Sequence, residues 1–212
     1  MEQKKIALTF DDGPSCDTTP RILSVLKRYN AKATFFMIGQ NAEKYGDLVR
    51  QIHEEAHQIG NHTWNHEVCT RVDPETLRSA LLRTSEAIQK QCGVSPIIHR
   101  PPEGMSNEDS IRLVGEVGMA TIIWSVDPKD WKKRGKELTV QLVLDNTEEG
   151  DVVLLHDIHA QTADAVEILV PELIRRGFEL VTVEDLAASK HTPLLPGKRY
   201  SNFHANKGER LC

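Results

Sequence analysis

At 212 residues the chain can bury one sizeable core and hardly two independent ones. Its 27% charged and 39% hydrophobic residues are those of an ordinary globular protein, and no apolar run approaches the roughly 20 residues that span a bilayer. A net charge of -5 without any block of like charge argues against nucleic acid as a partner, because phosphate binding asks for a clustered basic surface. In chain order, Ile6-Ala7-Leu8 reads as a short buried strand. Gly13-Pro14 cannot continue it, so Asp11 and Asp12 stand at its exit. Adjacent carboxylates repel each other unless a cation shares the site, although Asp-Gly-Pro by itself is an ordinary turn.

Thr19 is the expected cap of a first helix, with Pro20 at its first helical position and Ile22, Leu23, Leu26 and Tyr29 along one face. Residues 33–37 form a second strand, stopped by Gly39, and a helix crosses 47–55. A third strand, 58–61, delivers His62-Thr63-Trp64-Asn65-His66. Asp73-Pro74 opens the longest helix, with Gly93 just past its end. A strand over 97–99 runs into Arg100-Pro101-Pro102-Glu103-Gly104, and Ser106 caps a helix through Val117. The strand at 120–124 leads to Asp127-Pro128-Lys129-Asp130-Trp131, followed by a helix over 139–146. A strand over 151–155 ends at His156-Asp157-Ile158-His159. A helix at 163–176, a last strand at 179–183 and a short helix at 183–188 complete the periodic part. From Ser189 onward Pro, Gly, Lys and Arg follow without periodicity, which predicts a tail over 189–212 of little intrinsic structure.

Strands alternate with helices about seven times, and no linker interrupts 5–188. This α/β pattern predicts one domain built on a parallel sheet covered by helices. Each polar motif follows the C-terminal end of a strand, which is the active face of a β/α barrel, so the expectation is an incomplete or irregular barrel with one site.

His62 and His66 are four apart and would face the same way on a helical turn. With one carboxylate they make the three-ligand set of a catalytic zinc. Thr63 stands where a zincin motif needs its Glu, so a base must come from elsewhere, and one aspartate of Asp11-Asp12 is spare. Hydrolysis also needs an acid for the departing atom; His156 is the candidate, with Asp130 or Asp127 to orient it and keep it protonated. Singly, each residue has a plain structural reading: a rim histidine, a loop aspartate beside a core tryptophan, an Arg100 salt bridge.

Thr9–Pro14, His62–His66, Arg100–Gly104, Asp127–Trp131 and Leu154-Leu155-His156 resemble the five ordered motifs of the polysaccharide deacetylases, the NodB-homology group or carbohydrate esterase family 4. The resemblance covers about residues 4–188, the expected catalytic domain. It implies a distorted (β/α)7 barrel and metal-dependent removal of acetyl groups from N-acetylglucosamine polymers. Residue by residue, Asp11 resembles the general base, while Asp12, His62 and His66 resemble the ligands of a divalent metal, with zinc favoured over cobalt or nickel. Arg100 would orient Asp11, and Asp130 would tune the acid His156. Trp131 and Leu154 would wall the acetyl pocket beside Pro102 and Glu103, the backbone N–H of Glu103 facing the developing oxyanion. Position 103 is often aromatic in the family; the carboxylate of Glu103 is expected to repel anionic substituents of a neighbouring sugar.

The leading expectation is N-deacetylation of chitin-like glycans or peptidoglycan by a monomer. O-deacetylation of a substrate such as acetylated xylan, and a non-catalytic carbohydrate-binding homologue, are the alternatives. The substrate class suggests a secreted or wall-associated protein; with no apolar leader ahead of the first strand, a cytoplasmic one stays open. Cys16, Cys69, Cys92 and Cys212 form neither a CxxC pair nor a disulfide framework; Cys16 reads as a plain loop thiol, and His159 is given no role.

Overall fold

The computed structural model describes residues 4–132 and 135–204. Among these residues eight strands and eight α-helices follow one another, alternating except at α2 and α3: β1 (Lys4–Asp11), α1 (Thr19–Arg28), β2 (Thr34–Met37), α2 (Gly39–Lys44), α3 (Gly46–Glu54), β3 (Gln58–Asn61), α4 (Pro74–Cys92), β4 (Ile98–His99), α5 (Glu108–Glu116), β5 (Ala120–Ile122), α6 (Lys136–Asn146), β6 (Val152–His156), α7 (Ala160–Arg175), β7 (Phe178–Leu180), α8 (Val183–Ser189) and β8 (Arg199–Tyr200). The sheet runs β6-β1-β2-β3-β4-β5-β8 with β7 also on β1, and these strand pairs are all parallel. Past β5 the chain swings back to β6, where Val126 bridges Val153, so the sheet curls into the expected distorted (β/α)7 barrel.

β1 shows why the strands divide the core as they do. Successive side chains point to opposite faces. Ile6, Leu8 and Phe10 join the large cluster under α1, α3 and α7, with Phe10 stacked on Phe35 at 5.1 Å between centroids. Ala7, Thr9 and Asp11 face the other way. There the largest fully buried side chain is not apolar: it is Arg100, from the end of β4.

Several boundaries differ from the sequence reading. Thr18, not Thr19, is the N-cap residue of α1. Asn107 rather than Ser106 caps α5, because its side chain accepts from Ser110 N–H while Ser110 returns a bond to Asn107 N–H. Gly39 ends β2 but also starts α2, a six-residue helix too short to show a period. The segment after Ser189 is not loose as far as His204: Arg199–Tyr200 pairs with Thr121–Ile122, Phe203 is 3% exposed, and Tyr200 stacks on it. The open edge of β5 needs covering, and three scattered apolar residues (Leu194, Tyr200, Phe203) suffice for this without any period that the sequence could display. Residues 205–212 of the expected tail, with Cys212, lie outside the described residues.

The barrel floor carries a titratable group with consequences for stability. His57 is buried at 5% exposure, and its Nδ1 accepts the Ala33 N–H at 3.2 Å. Nε2 therefore carries the hydrogen; it makes no hydrogen bond, and Glu55 Oε2 lies 4.0 Å away. Burial, with the charge of Lys32, lowers its pKa to about 4. A folded pKa below the unfolded value of ~6.5 contributes stability that is present above pH 6.5 and lost as pH falls toward 4, about 3 kcal/mol over that window. His57→Asn keeps an acceptor for Ala33 and removes the titration. Urea unfolding between pH 7 and 4 should show a flatter acid slope in that variant; equal slopes would mean that His57 does not drive acid unfolding.

Candidate active site

The site lies at the C-terminal ends of the strands, as expected. Asp11 ends β1, where it pairs in register with His156 on β6 and Phe36 on β2. Arg100 fills the barrel below it and makes four hydrogen bonds through all three of its nitrogens: Nη1 donates to Thr9 Oγ1 (2.7 Å) and Asp11 Oδ1 (2.8 Å), Nε to the Ile122 carbonyl (3.2 Å) and Nη2 to the Ile123 carbonyl (3.1 Å). Its guanidinium also lies over Phe36, 4.1 Å from the ring centroid. A buried cation survives only with such partners, and Asp11 supplies the countercharge. Arg100 is thus a barrel plug as well as a neighbour of Asp11, not a surface salt bridge.

One residue on, Asp12 turns its side chain away by adopting φ 74, a left-handed conformation that Asp tolerates. Its Oδ1 is buried without a hydrogen-bond partner and lies 3.4 Å from both His62 Nε2 and His66 Nε2. One donor atom from each of the three residues falls within 4.8 Å of the others. The histidines are not on a helical turn as expected. They lie in a loop after β3 in which Thr63 (φ 63) and His66 (φ 60) are left-handed, and this bend brings the rings to 5.1 Å between centroids.

Neighbouring elements impose that bend. Gly39 and Gln40, at the start of α2, donate backbone N–H groups to the Thr63 and Trp64 carbonyls at 2.9 and 3.1 Å. Thr63 N–H donates to Asn61 Oδ1 at 2.9 Å. Trp64 is clamped between Gly39, where a Cβ would lie 2.4 Å from the indole, and the Arg83 guanidinium, 3.6 Å from its centroid. Asn41 Nδ2 donates to the Asp12 carbonyl at 2.8 Å.

These three residues suit a divalent metal. His62 Nδ1 is 2.7 Å from the Arg100 carbonyl, which can only accept, so Nδ1 carries the hydrogen and the Nε2 lone pair faces Asp12. A buried carboxylate oxygen facing two imidazole nitrogens beyond good hydrogen-bond range is what a cation between them would resolve. Burial would raise the Asp12 pKa, but the close approach of His62 at 3.4 Å and the charges of His62, His156 and His66 outweigh it, holding Asp12 at about 2.

On the other side, His156 Nδ1 and Asp130 Oδ1 are 2.8 Å apart, and His156 N–H donates to Asp130 Oδ2 at 2.8 Å. Thr162 Oγ1 donates to the same Oδ2 at 2.7 Å, and Trp131 N–H to Oδ1 at 3.0 Å. Of the two aspartates that the spacing left open, Asp130 is the one on the imidazole; Asp127 accepts from Lys129 N–H instead. Burial acts to lower His156, but the Asp130 hydrogen bond and charge, with those of Asp11 and Asp12, raise it to about 9. His156 is therefore an imidazolium at neutral pH. Leu154 is buried, Trp131 is 47% exposed, and Pro102 is buried in the short 3-10 turn Pro102–Gly104.

Glu103 is left-handed at φ 58, and its carboxylate meets Arg71, with contacts of 3.1 and 3.3 Å. The anionic rim expected from Glu103 alone is thus largely offset by a cation on the His62–His66 loop. Arg71, in a loop, and Asn41 and Thr162, at the starts of α2 and α7, were not singled out in the sequence; partners that meet only through tertiary placement have no spacing signature. Thr9 did have one, being two residues before Asp11 on the same strand face. His159 packs near the acid, its ring 6.0 Å from that of His156.

Residues 1–122 match the sequence profile of the polysaccharide deacetylases. The chain belongs to that family. A peptidoglycan-N-acetylglucosamine deacetylase of Listeria monocytogenes serotype 1/2a is 40% identical over 197 residues, 93% of this chain and 41% of that protein. The chain thus spans about two fifths of the length of that relative. Among solved structures, a T48 deacetylase with substrate superposes with a TM-score of 0.88 at 38% identity, covering 94% of this chain and 97% of that one. A family 4 acetyl xylan esterase from Clostridium thermocellum, in complex with a cobalt ion, gives a TM-score of 0.88 at 31% identity, over 94% of this chain and 98% of that one. The polysaccharide deacetylase fold here also carries no helix long and apolar enough to cross a membrane among the described residues.

Proposed function

We propose that this polysaccharide deacetylase is a hydrolase that removes N-acetyl groups from N-acetylglucosamine-containing glycans, chitooligosaccharides or peptidoglycan. The observation that carries the reading is His156 Nδ1 held 2.8 Å from Asp130 Oδ1 beside the buried Asp11–Arg100 pair, an arrangement that favours the protonated imidazole. An amine cannot leave without a proton, so an amide makes the acid indispensable; a sugar alkoxide leaving from an ester is helped by the same proton but depends on it less. Asp12, His62 and His66 would hold a divalent ion, zinc for preference given two imidazoles and one carboxylate. When bound, that ion supplies Lewis acidity at the acetyl carbonyl.

The chain's own residues do the rest. Asp11, oriented by Arg100, takes a proton from the water that attacks the acetyl carbon. The N–H of Glu103 offers a fixed donor to the oxygen that becomes negative. His156 gives its proton to the nitrogen as the C–N bond breaks, so acetate and a free amine leave. Trp131 and Leu154 line the acetyl pocket. Intact base, ligand set and acid argue against a purely carbohydrate-binding role. The substrate class would place the enzyme outside the cell or at its wall.

An O-deacetylase is the second reading, favoured by the likeness to the acetyl xylan esterase. Acetate release from chitooligosaccharides, peptidoglycan and acetylated xylan, before and after chelation, separates the two. N-acetylated glycans should give the highest kcat/KM, and chelation should abolish it; preference for acetylated xylan would establish the second reading instead.

A further inference from the structure

Asp157 follows the acid in sequence but enters none of the steps above. Its side chain is 1% exposed, and its Oδ1 has no hydrogen-bond partner. Oδ2 accepts from Thr19 Oγ1, and the Asp157 carbonyl accepts from Thr18 Oγ1. Thr19 Oγ1 in turn accepts the Ser15 N–H at 2.8 Å. A carboxyl buried with one oxygen unmet is costly, and mere space-filling would be served better by an apolar side chain.

The carboxyl is seated on Gly13, where a Cβ would fall 2.2 Å from each of its oxygens. Gly13 is not in the left-handed region, so its φ would accept alanine, and the three atoms nearest such a methyl all belong to the Asp157 carboxyl. On its far side the same turn is held by Ile38 N–H, which donates to the Gly13 carbonyl at 3.1 Å, and by Asn41 on the Asp12 carbonyl. The turn carrying Asp11 and Asp12 is therefore clamped between the start of α2 and the exit of β6.

We propose that Asp157 is a positioning residue, whose carboxyl seated against Gly13 fixes the metal-holding turn of β1 relative to the acid on β6. This rests on the reading of Asp12, His62 and His66 as a metal site. Burial raises the Asp157 pKa to about 7; the Thr19 hydrogen bond acts against this, and the charges of Asp12 and Asp11 add to it. A partly neutral carboxyl can lie beside those two carboxylates without driving them apart.

The test is zinc titration of chelator-stripped parent, Gly13→Ala, Asp157→Ala, Asp157→Asn and the Gly13→Ala/Asp157→Ala double variant against a competing chromophoric chelator, with melting curves of the stripped proteins alongside. Gly13→Ala and Asp157→Ala should each weaken zinc binding by about 10–100-fold, the range for groups that support a ligand. Asp157→Asn, of the same shape, should restore it. The double variant should bind no worse than either single one, because the added methyl fills the space the carboxyl left. Should Asp157→Ala not fold, Asp157→Ser carries the same test, keeping a polar partner for Thr19 while removing the oxygens over Gly13. Parent-like zinc affinity in the folded Asp157→Ala or Asp157→Ser variant, or losses that multiply in the double variant, would overturn the proposal. A parent that takes up no zinc would overturn the metal reading itself, a result distinct from either.

Discussion

Stripped with a chelator, the protein should release no acetate, regain activity with zinc or cobalt, and fail to regain it at the same metal concentration when His66 is replaced by Ala. Asp12, His62 and His66 are the single cluster of three such donors among the described residues, and the neighbouring Asp11 is already committed to Arg100 through Oδ1. His66 is the informative position. Its side chain is 37% exposed, whereas that of His62 is 2% exposed and also holds the Arg100 carbonyl through Nδ1. Removing His62 would disturb the barrel plug together with the metal, while His66→Ala should leave the melting temperature of the stripped protein near that of the parent. The loss in zinc affinity should exceed the roughly 10–100-fold seen for groups that only support a ligand. Binding should also weaken as pH falls. Burial opposes protonation of His62, but the charges of Asp11 and Asp12 and the bond to the Arg100 carbonyl raise its pKa in the metal-free protein, so protons compete more strongly with zinc there as pH falls. Zinc affinity equal to that of the parent in His66→Ala would remove His66 from the ligand set.

Much of this site was legible because its residues sit in short motifs at strand exits, and strand exits are readable from apolar runs ended by Gly and Pro. Asp11-Asp12, the two histidines, Arg100, Asp130 and His156 all follow such runs. The barrel was legible for the same reason, since alternating strands and helices leave few topologies. What the sequence could not show is how the loops bend. The histidine pair spaced for a helix lies instead in a loop with two left-handed residues, held from outside by α2, a helix that six residues cannot announce. The ion pair of Glu103 with Arg71 joins two loops 32 positions apart, and Thr162 reaches Asp130 across 32. Such contacts depend on tertiary placement, which periodicity does not encode. β8 went unread because two residues on a sheet edge leave no alternation to detect.

Asp11→Asn should bind zinc as the parent does and turn over about 10²–10⁴-fold more slowly, the range for loss of a positioned base. Asn keeps an oxygen for Arg100 Nη1, so the buried guanidinium is not stranded, and the metal donors are untouched. His156→Ala should divide substrates by leaving group: a large loss on N-acetylated glycans and a small one on an activated aryl acetate, because a phenolate departs without a proton. Asp130→Asn probes the same acid through pH. His156 must carry its proton to act, so activity is present below its pKa and lost as pH rises through it, near 9 in the parent. The Asp130 hydrogen bond and charge are what raise that value against burial. Without the charge, the alkaline limb of kcat/KM should move to lower pH while the acid limb stays in place. A limb that does not move in Asp130→Asn, or equal losses on amide and ester in His156→Ala, would take the role of acid away from His156. The leaving nitrogen would then have to draw its proton from water, and the Asp130 network would be left as a brace between the chain before α6 and the start of α7.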